Sequence, residues 1–129
     1  MTPIRRSLLR RCVLATLAAL VVLMPSCKPP VKSICTLEAR AGLWVEVRDS
    51  LTGAPAGEKA SVVAKEEEFE ETLRTLDGLA FSGLYERKGN YSVSVQKIGY
   101  QNWQQEIRVT GGECHVKTVH LQVKLERIS

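Results

Sequence analysis

Histidine is scarce in this sequence: only His115 and His120 occur. They stand five positions apart, and neither H-x-x-x-H nor C-x-x-C is present, so no metal site is expected. Long apolar runs are missing too. The one strongly hydrophobic stretch, "CVLATLAALVVLM" from Cys12 to Met24, is thirteen residues long, which is short for crossing a bilayer. No extended helical periodicity follows it, which leaves strands as the organising element. There is also no excess of charge beyond the first 26 residues. The whole chain has 18 Lys and Arg against 14 Asp and Glu, a net charge of +4. Arg5, Arg6, Arg10 and Arg11 account for that excess, so residues 27–129 carry 14 charges of each sign. A nucleic-acid partner loses its electrostatic footprint on this count.

What the N-terminus does contain is a targeting pattern. Four arginines precede the apolar run, and the run ends in "LMPSC". The arrangement has the charged and hydrophobic regions of a secretory signal. Its end resembles a bacterial lipobox, with Ser26 as the small residue before the cut and Cys27 as the cysteine whose thiol takes a diacylglyceryl group. The resemblance implies a lipoprotein signal peptide over residues 1–26 and membrane lipid, through Cys27, as a partner. Two or three acyl chains give stable anchoring where one is marginal. Lys28, not an aspartate, follows the cysteine, and the expected location is the outer membrane, facing the periplasm. "CKPPVKSICTLEARAG" then reads as an extended tether over residues 27–40, because Pro29 and Pro30 discourage helix.

Residues 41–129 read as one domain with a single modest core. "LWVEVRD" alternates, with Leu43, Val45 and Val47 on one face and Trp44, Glu46 and Arg48 on the other. "DSLTGAP" supplies turn chemistry through Asp49, Gly53 and Pro55. "KASVVAK" gives a second strand, and "EEEFEETLRTL" is expected as strand or ragged hairpin. "DGLAFSGL" reads as a turn into a strand. In "NYSVSVQKIGY" Tyr91, Val93 and Val95 share a face, as do Trp103, Gln105, Ile107 and Val109 in "NWQQEIRV". The last stretch, "CHVKTVHLQVKLE", contains a conflict. Cys114 and Val116 have the opposite parity to Val119, Leu121, Val123 and Leu125, and a regular strand buries only one set. Either a bulge lies near Lys117–Val119 or the strand changes partners there. About seven strands with turns between them predict an all-β fold, a small antiparallel β-sandwich. The acidic run Glu66, Glu67, Glu68, Glu70 and Glu71 lacks the interleaved Asp, Asn and Gly of a calcium loop and is expected as a solvated edge.

The order "VEVRDSLTGAP", "DGLAFSGL", "GNYSVSVQKIGYQNW" and a closing strand resembles the carboxypeptidase regulatory-like domain over roughly residues 43–126. There a D-x-x-T-G-x-P turn follows the first strand, and a G-x-Y-x-V strand leads to a K-x-G-Y corner. The resemblance implies a transthyretin-like or prealbumin-like sandwich of about seven strands, serving as an accessory module without catalysis or cofactor. A different class, the transthyretin-like hydrolases of hydroxyisourate, would require an early histidine and a C-terminal Y-R-G-S. This chain ends "KLERIS", which disfavours that alternative.

Four cysteines occur. If, as the lipobox resemblance implies, Cys12 leaves with the leader and Cys27 is taken by lipid, Cys35 and Cys114 remain in an oxidising compartment, where a disulfide is the default. Cys35 precedes the first strand and Cys114 is expected to open the last. His115 beside Cys114 does not make a catalytic dyad, since neighbours on a strand point to opposite faces. The expected role is a binding or structural module recognising an envelope protein or glycan. Trp44 or Trp103, if exposed, would mark the surface involved, although Tyr100 and Trp103 flank a corner where packing is the plainer role.

Overall fold

The computed structural model describes residues 26–30, 33–75 and 77–129. The predicted leader up to Pro25 lies outside the described residues, as does Leu76. The chain separates into two units, Met1–Lys32 and Ser33–Ser129. Of the first, only Ser26–Pro30 are described, an irregular exposed segment.

The second unit is all strand and loop. The eight strands are β1 (Leu43–Asp49), β2 (Ser61–Glu66), β3 (Phe69–Thr72), β4 (Arg74–Thr75), β5 (Ala80–Gly83), β6 (Gly89–Gln96), β7 (Trp103–Val109) and β8 (Val119–Leu125). They form two four-stranded sheets, β4-β5-β1-β8 and β3-β2-β6-β7, which make the predicted β-sandwich. Its core follows the sequence alternation. Leu43, Val45 and Val47 of β1, with Phe81 of β5 and Val123 and Leu125 of β8, are buried on the first sheet. Val62 and Ala64 of β2, Tyr91, Val93 and Val95 of β6, and Ile107 and Val109 of β7 are buried on the second. Residues two apart share a face, so β-branched valines on each strand present one continuous apolar surface.

Three details differ from the sequence reading. There are eight strands, not about seven, because the acidic stretch supplies both β3 and the two-residue β4. Its hairpin is as expected: β2 and β3 pair antiparallel around a turn at Glu67 and Glu68. Glu66 and Glu71 do more than face solvent, since they accept hydrogen bonds from the backbone N–H groups of Asn90 and Leu84, both at 3.2 Å.

Second, the sandwich is not wholly antiparallel, because β1 and β8 pair in parallel from Leu43↔Val119 to Asp49↔Leu125. Third, the last strand starts at Val119 and Cys114 does not open it. Residues 111–116 fold back on themselves through a Gly111↔Val116 bridge, and the Lys117 N–H donates to the Thr110 carbonyl at 2.8 Å. The Val119 N–H then donates to the Gly42 carbonyl at 2.9 Å, which carries the chain from the second sheet to the first. The parity conflict is thus resolved by a change of partner. Because β8 enters beside the start of β1, the two run the same way.

Reversals use the expected residues. Gly53 and Gly99 have φ of +70° and +87°, a region glycine occupies without a Cβ clash.

Replacing the fully buried Leu43 by alanine is expected to cost about 2–5 kcal/mol. Replacing Leu51, whose side chain projects from the β1–β2 turn, should change stability by less than about 0.5 kcal/mol. Urea denaturation of both variants checks the contrast.

Candidate functional site

Three places bring together the residues that the sequence singled out. The first is the end of the sandwich where the chain arrives. Cys35 and Cys114 form the expected disulfide, with Cα atoms 5.2 Å apart and a sequence separation of 79. Cys114 sits in the β7–β8 loop, so His115 is a loop residue and not a strand residue. Its ring lies between two partners. Nε2 is 3.0 Å from Thr36 Oγ1, and Nδ1 is 2.6 Å from Glu86 Oε1. Glu86 also accepts from the backbone N–H groups of Arg40 (2.8 Å) and Val116 (3.2 Å). Ser33 Oγ donates to Glu113 at 2.7 Å and Thr118 Oγ1 to the Ala41 carbonyl at 2.7 Å. The Arg40 N–H is the main influence holding the Glu86 carboxyl below the usual range, partly opposed by burial, with His115 adding to it.

A shallow cleft of about 440 Å³ lies over this cluster, lined by Thr36, Arg40, Cys114, His115 and Lys117 among others. The order hydroxyl, imidazole, carboxylate is that of a nucleophile with its base and orienting acid. Its members also fasten residues 33–41 to the loops at 84–86 and 111–118. Cys114 is spent in the disulfide and offers no thiol to His115.

The second place is the opposite end, and sequence reasoning missed it. Asp49 continues the inward parity of Val45 and Val47 and is 2 % exposed. Its Oδ1 accepts from the backbone N–H groups of Leu51 (2.9 Å) and Thr52 (3.0 Å). Its Oδ2 accepts from Tyr100 Oη (2.8 Å) and Arg127 Nε (2.6 Å). Four donors match what two carboxylate oxygens can accept. The Thr52 N–H, then the Arg127 guanidinium and the Tyr100 hydroxyl, hold this carboxyl far below the ordinary range, against the opposing effect of burial. The signal was present as two turn motifs, D-x-x-T-G at Asp49 and K-x-G-Y at Tyr100. Nothing local says that the two touch, or that Arg127 joins them.

The third place is the outer face of the β4-β5-β1-β8 sheet. The two candidate tryptophans part company here. Trp103 is turned inward and packs half-buried against the core. Trp44 stands outward and is 39 % exposed. Strand register places Arg74, Ser82, Trp44 and His120 in one row across the four strands. Tyr85, 51 % exposed, joins the row through a 3.0 Å hydrogen bond between its hydroxyl and Ser82 Oγ. The next rows hold Ala80, Glu46 and Gln122, then Arg48 and Lys124. Glu46 and Arg48 are bonded to each other. The outer face of the other sheet has a different character, with Ser61, Ser92, Ser94, Gln96 and Gln104 lining a shallow trough of about 390 Å³.

His115 belongs to the loop cluster and His120 to the outer face of the first sheet, so the two are not brought together. Among the described residues no group of three or more metal-ligating side chains converges. Cys27 is exposed and outside any disulfide. No protein-family model matches the chain, and no curated protein does either.

Two outcomes follow. Because the folded Asp49 pKa is depressed, its contribution to stability is complete above about pH 4, the range of an unfolded carboxyl. That contribution drains away as pH falls towards the folded pKa. An Asp49→Asn variant should melt lower than the parent at pH 7 and show a shallower fall between pH 4 and pH 2, checked by thermal melts across that range. A Cys35→Ser/Cys114→Ser variant releases a 79-residue loop. The chain-entropy model puts its loss on the order of 4 kcal/mol, read as a lower melting temperature under non-reducing conditions.

Proposed function

We propose that this chain is a lipid-anchored cell-envelope protein whose β-sandwich serves as a binding module on a short tether. Residues 1–26 act as the signal, Cys27 carries the lipid, and the domain stands at the outer membrane facing the periplasm. The observation that carries the reading is the Cys35–Cys114 disulfide. A bridge of this kind belongs to an oxidising compartment, and it lies eight residues beyond the cysteine that would be acylated. It supports a design in which the tether is fixed to one end of the sandwich, leaving its faces for a partner.

The domain is proposed to be of the carboxypeptidase regulatory-like kind. The hydrogen bond between Asp49 and Tyr100 supports this, because it joins the D-x-x-T-G turn to the K-x-G-Y corner and gives both a common structural reason. The partner is an envelope protein or glycan, received on the Trp44 face. That is the one described sheet face where exposed aromatic side chains and unpaired cations occur together. Aromatic rings that combine apolar faces with polar tips are favoured at such surfaces.

Metabolic labelling with palmitate and mass spectrometry of the mature N-terminus test the anchor. Label on the parent and none on a Cys27→Ala variant is expected, with the parent in the membrane fraction. An unmodified mature N-terminus, or label that survives Cys27→Ala, overturns the reading.

A further inference from the structure

The row across the first sheet has a composition that narrows the kind of partner. From β5 to β8 it presents Tyr85, bonded through its hydroxyl to Ser82, the Trp44 indole and the His120 imidazole, with Arg74 beyond Ser82 on β4. Adjacent strands lie about 4.8 Å apart, so the row is roughly 14 Å long. Three planar side chains in sequence offer flat apolar area without a deep cavity. A sugar ring suits such a platform, because its C–H face packs on an aromatic ring while its hydroxyls turn outward to hydrogen-bonding groups. Gln122 and the indole N–H supply such groups on the same face.

Charge decides between neutral and acidic sugars. This face carries Arg74, Arg48 and Lys124 against one carboxylate, Glu46, and that carboxylate is already bonded to Arg48. Arg48 and Lys124 are direct neighbours in register, and Glu46, bonded to Arg48, offsets only one of these two like charges. Neither Arg74 nor Lys124 forms an ion pair among the described residues. The outer face of the second sheet is balanced by contrast. Lys65 and Arg108 stand there with Glu70 and Glu106, and Lys65 pairs with Glu70. The excess positive charge is therefore local, since the charges of residues 27–129 sum to zero.

Spacing argues for a polymer. Lys124 lies four residues beyond His120 on β8, about 13 Å along the strand. Arg74 stands three strands away from that one, so a single acidic sugar does not reach both cations. A chain with a repeating carboxylate does. Arginine recognises a carboxylate with two parallel N–H bonds, and lysine with a point charge.

We infer that the outer face of the β4-β5-β1-β8 sheet binds an acidic polysaccharide, with Trp44 and Tyr85 stacking on sugar rings and Arg74 and Lys124 taking its carboxylates. This rests on the reading of the domain as a binding module and names the partner of that same face.

The test is affinity electrophoresis of the full-length chain in detergent. Gels contain polygalacturonate or alginate as acidic probes and dextran or hydroxyethylcellulose as neutral ones, and a single-stranded oligonucleotide serves as the polyanion control. Retardation by the acidic polymers is expected, weakening as salt is raised. Trp44→Ala should weaken it about tenfold, the scale of one lost aromatic contact. Arg74→Ala/Lys124→Ala should weaken it severalfold, and because both side chains are exposed the double variant keeps its fold, which a matching melting temperature verifies. Equal retardation by neutral polymers overturns the acidic assignment while leaving a glycan-binding face in place. Acidic retardation that survives Trp44→Ala, or equal retention by the oligonucleotide, overturns it as non-specific charge. No retardation by any glycan also overturns it. Loss of lipidation at Cys27 would instead strike the anchored-protein reading and leave this assay unchanged.

Discussion

Asp49 occupies an inward-facing position, two residues beyond Val47 on the parity that builds the core, and yet it carries a charge. A carboxylate so placed is expelled or neutralised unless its acceptor sites are filled. Here they are filled from three separate stretches of chain: the β1–β2 turn through Leu51 and Thr52, the β6–β7 corner through Tyr100, and the C-terminus through Arg127. The sheets meet at this point, since Tyr100 follows a strand of one and Arg127 a strand of the other. The register of β1 against β8 and the closure of the β6–β7 corner both depend on that one side chain. Removing Arg127 leaves the buried Asp49 carboxylate without its charged partner, which is the costly way to break an ion pair.

The opposite end uses the same device with different parts. Glu86 gathers the backbone amides of Arg40 and Val116 and the ring of His115, and the disulfide adds a covalent link beside them. One carboxylate thus organises each end of the sandwich. The consequence is polar: one end receives the tether, and the other closes the fold around a buried acid. The two outer sheet faces are unlike. One is a shallow trough of serine and glutamine, while the other carries tryptophan, tyrosine and unpaired cations.

Much of the fold was legible in the sequence because a period of two is a strong constraint. Leu43, Val45 and Val47, and Tyr91, Val93 and Val95, announced the core from their spacing alone, and all six are buried. The disulfide followed from counting cysteines by compartment. The "CHVKTVHLQVKLE" stretch announced a break by its shift of parity but not its nature. Whether a strand bulges or changes sheet depends on which neighbour is available, and that neighbour, Gly42, lies about seventy-five residues earlier in the chain. Trp103 shows the same limit in reverse. Its composition fits a binding surface as well as a core, and only its register opposite Val95 settles that it packs inward.

The sequence by itself determined what local chemistry can determine: strands from alternation, reversals at Gly53 and Gly99, the overall all-β class, and a bridge between Cys35 and Cys114. The tertiary structure alone decided what depends on distance in space. It made β8 parallel to β1, set Asp49, Tyr100 and Arg127 on one another, and put Trp44, Tyr85 and Arg74 on one face. The physical reason is that a side chain's periodicity fixes which face of its own strand it occupies. Which strands lie beside it is fixed by the packing of the whole chain.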